Sequence, residues 1–271
     1  MHASAVGGLV RACHPEPTLA VTVVAAGLAV SVGLPALGVL LVAAAVVTGQ
    51  LSVGWLNDYL DADRDRTVLR ADKPVVTGAV SRTTVGTAAL CAGLACVPLS
   101  LASGLLAGTV HLVAVVSAWA YDLGLKSTGA SVVPYALSFG LLPVFVVLAA
   151  GGSPPWWLVT TGALLGAGAH FANAMPDLAD DTATGVRSLP QRLGHRVSGI
   201  AAAVLLLSAL VVLVFGPGGA PHVAGPPMLA AAAAALSFGA VASRRAGSRA
   251  LFRAVLFTAL LAVLLLMISF P

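Results

Sequence analysis

The sequence predicts an all-α integral membrane protein, a bundle of nine transmembrane helices with an internal parallel repeat. Of the 271 residues, 59% are hydrophobic and 9% are charged, whereas about 25% of an average soluble chain is charged. The apolar residues form continuous runs rich in Leu, Ala and Val, which favour helices over the alternating strands of an outer-membrane barrel. A polar segment occurs twice along the chain. This composition excludes an ordinary soluble domain and a disordered chain.

Nine apolar runs are long enough to be transmembrane helices, because a helix needs about 20 residues to cross the hydrocarbon core. No hydrophilic stretch is long enough to form a separate soluble domain, so we predict one domain over residues 1–271. The first and eighth runs are the shortest, and eight spans is therefore the alternative count. The predicted spans are roughly 18–34, 36–56, 83–103, 105–121, 130–150, 155–175, 196–216, 226–243 and 250–270.

The charged residues predict the orientation of the bundle. With nine spans, all 14 Lys and Arg residues lie on the side that holds the N-terminus and the loops after the even-numbered spans. The positive-inside rule places this side in the cytoplasm, so we predict the N-terminus inside and the C-terminus outside, in the cell's inner membrane. All ten Asp and Glu residues lie on the same side. Topology does not require the acids to cluster, which indicates that they have a function.

Neither the net charge nor the cysteines point to a different class of protein. The net charge is +4, but no basic run lacks nearby acids, so we expect no nucleic-acid partner. The three cysteines form neither a metal-ligand pattern nor a disulfide framework.

The acids lie in a segment that occurs twice. Residues 57–65 read NDYLDADRD and residues 173–181 read NAMPDLADD, so both contain Asn-x₃-Asp-x₃-Asp, and positions 57 and 173 are 116 apart. The same offset relates Pro74 to Pro190 and Gly78 to Gly194 in the loops that follow. We interpret the match as a duplicated helix–loop unit. Four spans separate the copies, so the repeat is parallel.

Spacings of four residues predict a row of oxygen ligands on one helix face in each copy. Stacked carboxylates repel one another, and the cost rises in apolar surroundings, so a cation must compensate. Oxygen-only ligands suit Mg²⁺, which binds through carboxylates together with substrate phosphates. Two facing rows therefore indicate a diphosphate held through bridging Mg²⁺. The candidate metal ligands are Asn57, Asp58, Asp61 and Asp65 in the first row, and Asn173, Asp177 and Asp181 in the second.

Basic residues follow both rows, where a bound phosphate would need them. Lys73 follows the first row, and Lys126, the only other lysine of the chain, lies in the next cytoplasmic loop. For each basic residue, topology is the competing interpretation, because cytoplasmic loops carry Lys and Arg in any case. The candidate diphosphate-binding residues are Arg66, Lys73, Lys126, Arg187 and Arg192.

The two rows resemble the motifs of the UbiA superfamily of intramembrane prenyltransferases. The first motif of that family, Asn-Asp-x₂-Asp-x₃-Asp, is complete here from Asn57 to Asp65. Its second motif, Asp-x₃-Asp, is similar to Asp177 and Asp181, and residues 185–194, GVRSLPQRLG, resemble the segment that follows it. The resemblance covers nearly the whole chain, including the nine-helix plan.

Two further elements resemble motifs of this family but differ from them in one residue type or in spacing. Lys73-Pro74 together with Gly78 is similar to the basic-Pro loop after the first motif, with Lys where Arg is commoner. Tyr121 and Lys126 resemble a tyrosine–lysine element at an unusual spacing, which puts the role of Lys126 in doubt.

The resemblance implies transfer of a prenyl group from an isoprenyl diphosphate to a small-molecule acceptor, with Mg²⁺ as cofactor and membrane lipid as surroundings. It also implies that Asp61, Asp177 and Lys73 are catalytic. Mg²⁺ and the basic residues would stabilise the departing diphosphate, while a dry bundle shields the allylic cation from water. The sequence does not identify the acceptor, and an aromatic compound is one candidate. A terpene cyclase without a separate acceptor is the alternative within this architecture.

Aromatic residues near the helix ends are candidates to face the cation through their rings. Anchoring at the membrane interface is the competing interpretation for each of them. The candidates are Trp55, Tyr59, Trp119, Tyr121, Phe139 and Phe171.

A transporter or divalent-cation carrier is the alternative from a different functional class. Intramembrane acids and internal repeats are typical of transporters. Against this alternative, every acid lies at one face of the predicted bundle, and no ionisable residue lies clearly at mid-membrane.

Overall fold

The structure is a computed structural model, and it describes residues 5–176, 178, 185, 187–218, 221–244 and 250–269. Within these ranges the regular structure is entirely helical, as predicted, and contains no strand. A short 3₁₀ turn, Leu125–Ser127, follows the fifth helix. The α-helices are α1 (Ala5–Ala12), α2 (Pro15–Ser31), α3 (Ala36–Thr67), α4 (Arg82–Ala102), α5 (Leu105–Leu123), α6 (Val132–Ala149), α7 (Trp156–Ala174), α8 (Leu189–Phe215), α9 (Gly225–Ala242) and α10 (Ala250–Ser269).

Helices α2 to α10 lie at the nine predicted spans. Of the described helices, six are long and apolar enough to cross a membrane, namely α3, α4, α5, α6, α8 and α9. The pair α1 and α2, bent by 61°, makes a seventh if it is counted as one span. Helix α7 has 19 residues, but two tryptophans, His170 and Asn173 lower its hydropathy. The chain is an all-helical membrane protein, and the count of nine spans stays a prediction.

The acidic row and its membrane span form one continuous helix, α3. Its 32 residues extend over about 48 Å, whereas the hydrocarbon core is about 30 Å thick. The last three turns, which carry the row, therefore continue beyond a span of ordinary length. Leu69 ends this continuation with a left-handed φ of 52°.

A bend at His14 brings the start of the chain to the acidic row. His14 has a left-handed φ of 54°, and Pro15 begins α2 because proline cannot continue the hydrogen bonds of α1. Helix α1 instead packs on α3, where Trp55 Nε1 donates to the Leu9 carbonyl at 2.9 Å. The bend therefore places the His14 side chain beside the end of α3.

Buried hydrophobic clusters join the helices of the bundle. The first cluster joins α2, α3, α5 and α6 with residues of α7, α8 and α10 around Val42, Phe145 and Val146, which are fully buried. The second joins α7, α8, α9 and α10 around Leu206 and Leu236. A third, smaller cluster of Ala12, Ala62, Val75, Val80 and Val85 packs at the acidic end of α3.

Two glycines on α7 let its backbone approach α6 closely. A Cβ at Gly162 would lie 2.4 Å from the carbonyl oxygen of Phe139, and a Cβ at Gly166 would lie 2.4 Å from that of Tyr135. Small residues spaced by four are a common device for close helix packing in membranes. This contact fixes Tyr135 and Phe139 opposite the C-terminal end of α7.

The loops after the two acidic rows share a backbone feature. Gly78 and Gly194, which are equivalent under the 116-residue offset, have φ values of 71° and 76°. Only glycine adopts such values at little cost. The helices before these loops differ, because α3 continues through its acidic row whereas α7 ends at Ala174, before Pro176.

We predict that Gly162→Ala destabilises the protein, because the added methyl group meets a backbone carbonyl that cannot move aside. The free energy of unfolding should fall by about 1–3 kcal/mol, measured by thermal or denaturant unfolding in detergent. Gly199→Ala on α8 is the matched control, since its Cβ would meet only the end of Met175 at 3.8 Å. Equal stability of the two variants would contradict the close packing of α6 and α7.

Candidate active site

The first acidic row is buried at the C-terminal end of α3. Asp58, Asp61 and Asp65 are 2%, 7% and 3% exposed, and Asn57 is half-buried beside them. Asp63, which is out of register with the row, is exposed. The four-residue spacing therefore predicted correctly which acids share the inner face of the helix.

Asp58 is neutralised by groups from two other parts of the chain. Lys73 Nζ donates to Asp58 Oδ1 at 2.6 Å, and His14 Nε2 lies 3.0 Å from the same oxygen. Lys73 Nζ and His14 Nε2 are 3.3 Å apart. The second oxygen, Asp58 Oδ2, is buried and has no hydrogen-bond partner among the described residues. One oxygen is therefore crowded with donors, while the other keeps its full capacity to bind a ligand.

The loop that delivers Lys73 is braced by an ion pair at its surface. Arg70 Nε and Nη2 donate to the two oxygens of Asp72 at 3.0 and 2.9 Å. This hydrogen bonding is the main reason that the pKa of Asp72 is lowered to about 2. Asp72 therefore stays ionised and holds the turn that precedes Lys73.

Asp61 lies at the centre of the described site. Lys126 Nζ donates to its Oδ1 at 2.6 Å, and Arg64 Nη2 donates to its Oδ2 at 2.9 Å. Asn57 Nδ2 also donates to Asp61 Oδ2, at 3.1 Å. Lys126 reaches Asp61 because the 3₁₀ turn after α5 folds back over the end of α3.

A fourth acid, Asp122 at the end of α5, completes this cluster. Its side chain is 6% exposed, and its Oδ1 accepts a hydrogen bond from Asn57 Nδ2 at 3.1 Å. Asp122 Oδ2 is buried without a hydrogen-bond partner among the described residues. The Asn57 amide therefore bridges Asp61 and Asp122 and keeps the two carboxylates apart.

Asp58 and Asp61 are held by cations, and Asp122 by the Asn57 amide, so the described acids do not gather around one point. Among the described residues, no three His, Cys, Asp or Glu side chains are arranged to hold a metal ion together. The donor set still suits Mg²⁺, because Asn57, Asp58, Asp61 and Asp65 offer only oxygen ligands from their acids and amide. The unpartnered Asp58 Oδ2 supplies an oxygen with no competing hydrogen bond.

The second row is described only at its first residue. Asn173 lies at the end of α7, and its Nδ2 donates to the Tyr135 hydroxyl at 3.4 Å. Asp177 and Asp181 lie outside the described residues, so the predicted facing of the two rows stays a prediction. Arg187 and Arg192 are exposed, and Arg192 Nε donates to the Arg187 carbonyl at 2.8 Å.

The five basic candidates divide into two kinds. Lys73 and Lys126 bind buried acids directly, whereas Arg66 pairs with the exposed Asp63 at 2.9 Å. Arg66 follows the row in sequence, but the helix turns its side chain to the outer face. The structure therefore does not bring Arg66 to the buried acids.

The aromatic candidates also divide, and three of them meet beside the site. Tyr121, Phe139 and Phe171 join Tyr135 and His170 in a cluster whose ring centroids are 4.9–6.3 Å apart. This aromatic cluster lies between the ends of α5, α6 and α7, next to Asn173.

The other three aromatic candidates are engaged elsewhere. Trp55 bonds to α1, and Trp119 Nε1 donates to Ser52 Oγ at 3.2 Å. Tyr59 is 36% exposed and lies under the Arg82 guanidinium, 4.8 Å from its ring centroid. These three residues pack against neighbouring helices and loops.

Sequence reasoning missed several residues of the site, of which Asp122 carried the clearest signal. Asp122 is the one acid of α5 and ends an apolar run, next to a tyrosine and four residues before Lys126. Tyr135 and His14 carried no comparable signal, because their roles depend on the close packing of α6 on α7 and on the bend before α2.

We predict that Lys73→Met destabilises the protein even without substrate, because it removes the main cation beside a carboxylate that is 2% exposed. Breaking a buried pair by removing one partner costs about 3 kcal/mol, which thermal unfolding in detergent can measure. Arg66→Met is the matched control, since its pair with Asp63 is exposed and contributes about 0.5 kcal/mol. A Lys73 variant as stable as the Arg66 variant would show that Asp58 does not depend on this partner.

Solved structures share the fold of this chain. One is the apo structure of a UbiA homolog from Aeropyrum pernix K1, whose sequence is 20% identical to this chain. The match covers 94% of this chain and 98% of the homolog, with a TM-score of 0.75. A UbiA homolog from Archaeoglobus fulgidus bound to DMAPP and Mg²⁺ is 15% identical, with 97% and 98% coverage and a TM-score of 0.74. Its structure with GPP and Mg²⁺ is 15% identical, with 96% coverage of each chain and a TM-score of 0.74.

A search of the curated proteins gave no match to the sequence. The model of the UbiA prenyltransferase family, by contrast, matches residues 18–261, which include both acidic rows and their loops. The match confirms the family that the motifs indicated. The chain belongs to the UbiA prenyltransferase family.

Proposed function

We propose that this protein is a Mg²⁺-dependent membrane prenyltransferase that moves a prenyl group from an isoprenyl diphosphate to a small-molecule acceptor. The observation that carries the proposal is the buried cluster in which Lys73 and Lys126 each bind a motif carboxylate at 2.6 Å. Carboxylates for metal ions and lysines for phosphate oxygens are thereby joined in one site. Family membership and the solved structures of homologs with prenyl diphosphates and Mg²⁺ support the same function.

The candidate metal ligands are those of the two motifs. Asn57, Asp58, Asp61 and Asp65 would hold Mg²⁺ on one side of the diphosphate, and Asn173, Asp177 and Asp181 on the other. Bound Mg²⁺ would neutralise charge on the diphosphate as it leaves. The two lysines would then turn from their carboxylates to phosphate oxygens, because the metal takes over the neutralisation of the acids. Lys73, Asp61 and Asp177 are the residues that we assign to catalysis.

The remaining basic candidates would act at the mouth of the site. Arg187 and Arg192 are exposed after the second row and would attract the diphosphate by charge. Arg66 forms an ion pair with Asp63 on the outer face of α3. We therefore propose that Arg66 does not contact the diphosphate directly.

The chemistry consists of ionisation followed by capture. The bond between C1 of the prenyl group and the diphosphate oxygen breaks, and the diphosphate keeps the electron pair. The cation is shielded by the aromatic cluster, whose ring faces favour positive charge, and by the exclusion of water. A nucleophilic atom of the acceptor then bonds to C1, and the acceptor loses a proton.

The acceptor distinguishes this function from that of a terpene cyclase of the same architecture. A transferase releases diphosphate in step with prenylated acceptor, whereas a cyclase releases diphosphate with a hydrocarbon and no added acceptor. Incubation with prenyl diphosphates, with and without a panel of phenols and quinols, followed by mass spectrometry, separates the two. Neither the fold nor the family match favours a transporter.

We predict that Asp61→Asn and Asp177→Asn each lower Mg²⁺-dependent diphosphate release at least a hundredfold, because each removes a charge from the metal site. A loss of this size matches the removal of a few kcal/mol of transition-state stabilisation. The measurement is the rate of diphosphate release from geranyl diphosphate. The rate after chelation of Mg²⁺ by EDTA gives the background that is subtracted. Asp63→Asn is the matched control on the exposed face of α3 and should keep most activity. Full turnover by the Asp61 and Asp177 variants would refute the proposal.

We also propose nine membrane spans, with the N-terminus and the active-site loops in the cytoplasm. The support is that every Lys and Arg residue lies on one side of such a bundle. In this topology Val223, in the loop between α8 and α9, lies outside, whereas Thr128, after the 3₁₀ turn, lies inside.

This topology predicts the labelling of single cysteines in a Cys13→Ser, Cys91→Ser and Cys96→Ser background. Val223→Cys, at a position 85% exposed, should react with a membrane-impermeant maleimide on intact cells. Thr128→Cys should react with the same maleimide only after the cells have been permeabilised. The reverse pattern would invert the proposed orientation.

A further inference from the structure

Asp122 is the one buried acid of the described site that pairs with no described cation. The three buried acids of α3 each lie beside a lysine or an arginine. Asp122 has a single hydrogen bond among the described residues, in which its Oδ1 accepts from Asn57 Nδ2 at 3.1 Å. Its Oδ2 is buried without a partner there. Burying a carboxylate without a cation costs stability, and the only group that this one bonds to is the side chain of Asn57.

The Asn57 amide has two N–H hydrogens, and two carboxylates use them. Nδ2 donates to Asp61 Oδ2 and to Asp122 Oδ1, each at 3.1 Å. Ionised carboxylates accept hydrogen bonds and have none to donate. If the amide were turned over, its Oδ1 would face two groups that cannot bond to it. Asp61 and Asp122 together therefore fix which end of the amide faces them.

The opposite end of the amide is left for a ligand. Among the described residues, no group donates to Asn57 Oδ1. The same holds for Asp58 Oδ2 on the next residue, which is buried without a partner. Mg²⁺ binds oxygen ligands, so Asn57 can serve it through Oδ1 and not through Nδ2. The orientation that the two acids impose is the one that a metal ligand needs.

Asp122 adds a constraint that Asp61 does not supply. Asp61 lies one turn from Asn57 on the same helix, and its Oδ2 also accepts from Arg64 Nη2 at 2.9 Å. Asp122 approaches from the end of α5, so its bond ties the amide across the gap between two helices. Lys126, four residues later, neutralises Asp61 directly at 2.6 Å. One short segment after the middle of α5 thus serves two neighbouring motif residues.

We propose that Asp122, which lies outside both motifs, is a positioning residue that holds Asn57 with its amide oxygen available to Mg²⁺. The inference rests on the proposed function, because it takes Asn57 as a metal ligand. Residues that orient a ligand without touching the metal typically change metal affinity by about tenfold to a hundredfold when they are removed. Asp122 acts on the metal through the hydrogen bond to Asn57 and not through its own charge.

The test compares Asp122→Asn with Asp122→Leu. Both variants remove the charge at similar size, but only asparagine keeps an oxygen that can accept from Asn57 Nδ2. The full-length protein in detergent is given a fixed concentration of geranyl thiolodiphosphate, and the Mg²⁺ concentration that produces half of the rise in melting temperature is measured. This midpoint should be at least tenfold higher in Asp122→Leu than in Asp122→Asn. Asp63→Asn, which removes a charge from the exposed face of α3, is the control and should stay within twofold of the wild type.

A second comparison asks whether Asp122 acts through Asn57. In an Asn57→Ala background the hydrogen bond is absent, so the midpoints of Asp122→Asn and Asp122→Leu should become equal. A merely structural role would lower the melting temperature without Mg²⁺ and leave the midpoints of the two single variants alike. Asp122→Ala replaces Asp122→Leu in both comparisons if the larger side chain prevents folding.

Two outcomes would overturn the inference. Equal midpoints in the two single variants would show that the hydrogen bond is unimportant for the metal. A difference that persists in the Asn57→Ala background would show that Asp122 acts on the metal or the diphosphate itself. If Mg²⁺ and the analogue do not raise the melting temperature of the wild type at all, the proposed function fails, and this result is distinct from the other two.

Discussion

At the C-terminal end of α3, three carboxylates are buried, and one of them, Asp65, lies in the last turn, where the helix dipole is itself negative. Arg64 of the same helix lies beside Asp61 and Asp65, and the remaining positive charge comes from outside α3. Lys73 comes from the loop after α3, and Lys126 comes from the turn after α5, each at 2.6 Å. The loop after α3, the turn after α5 and the bend at His14 each bring a partner to these acids. A site built in this way has its positive and negative groups in place before a substrate arrives.

Much of this arrangement was predictable from spacing and charge. The four-residue interval predicted that Asp61 and Asp65 share the inner face of α3, where both are buried, and the confinement of all acids to one side of the predicted bundle favoured a site at that end. Lys73 and Lys126 were predictable because lysine occurs nowhere else in the chain. These features are local in sequence or are fixed by the membrane, so they do not depend on how the helices pack.

The rest depends on tertiary contacts that a single sequence does not contain. Asp122 becomes part of the site because Asn57 spans the gap between α3 and α5. Tyr135 and His170 become neighbours because Gly162 and Gly166 let α7 lie against the backbone of α6. Arg66 follows the acidic row yet faces outward, because one residue along a helix rotates a side chain by about 100°.

The matching backbone at Gly78 and Gly194 extends the likeness of the two repeats from sequence to conformation. A half-length ancestor with one such helix and loop would carry one acidic row and half of a diphosphate clamp. In the proposed site, two such copies together supply both halves of the clamp. Fusion of the two genes would then have freed each half to diverge, which fits an α3 that continues through its acidic row and an α7 that ends at Ala174.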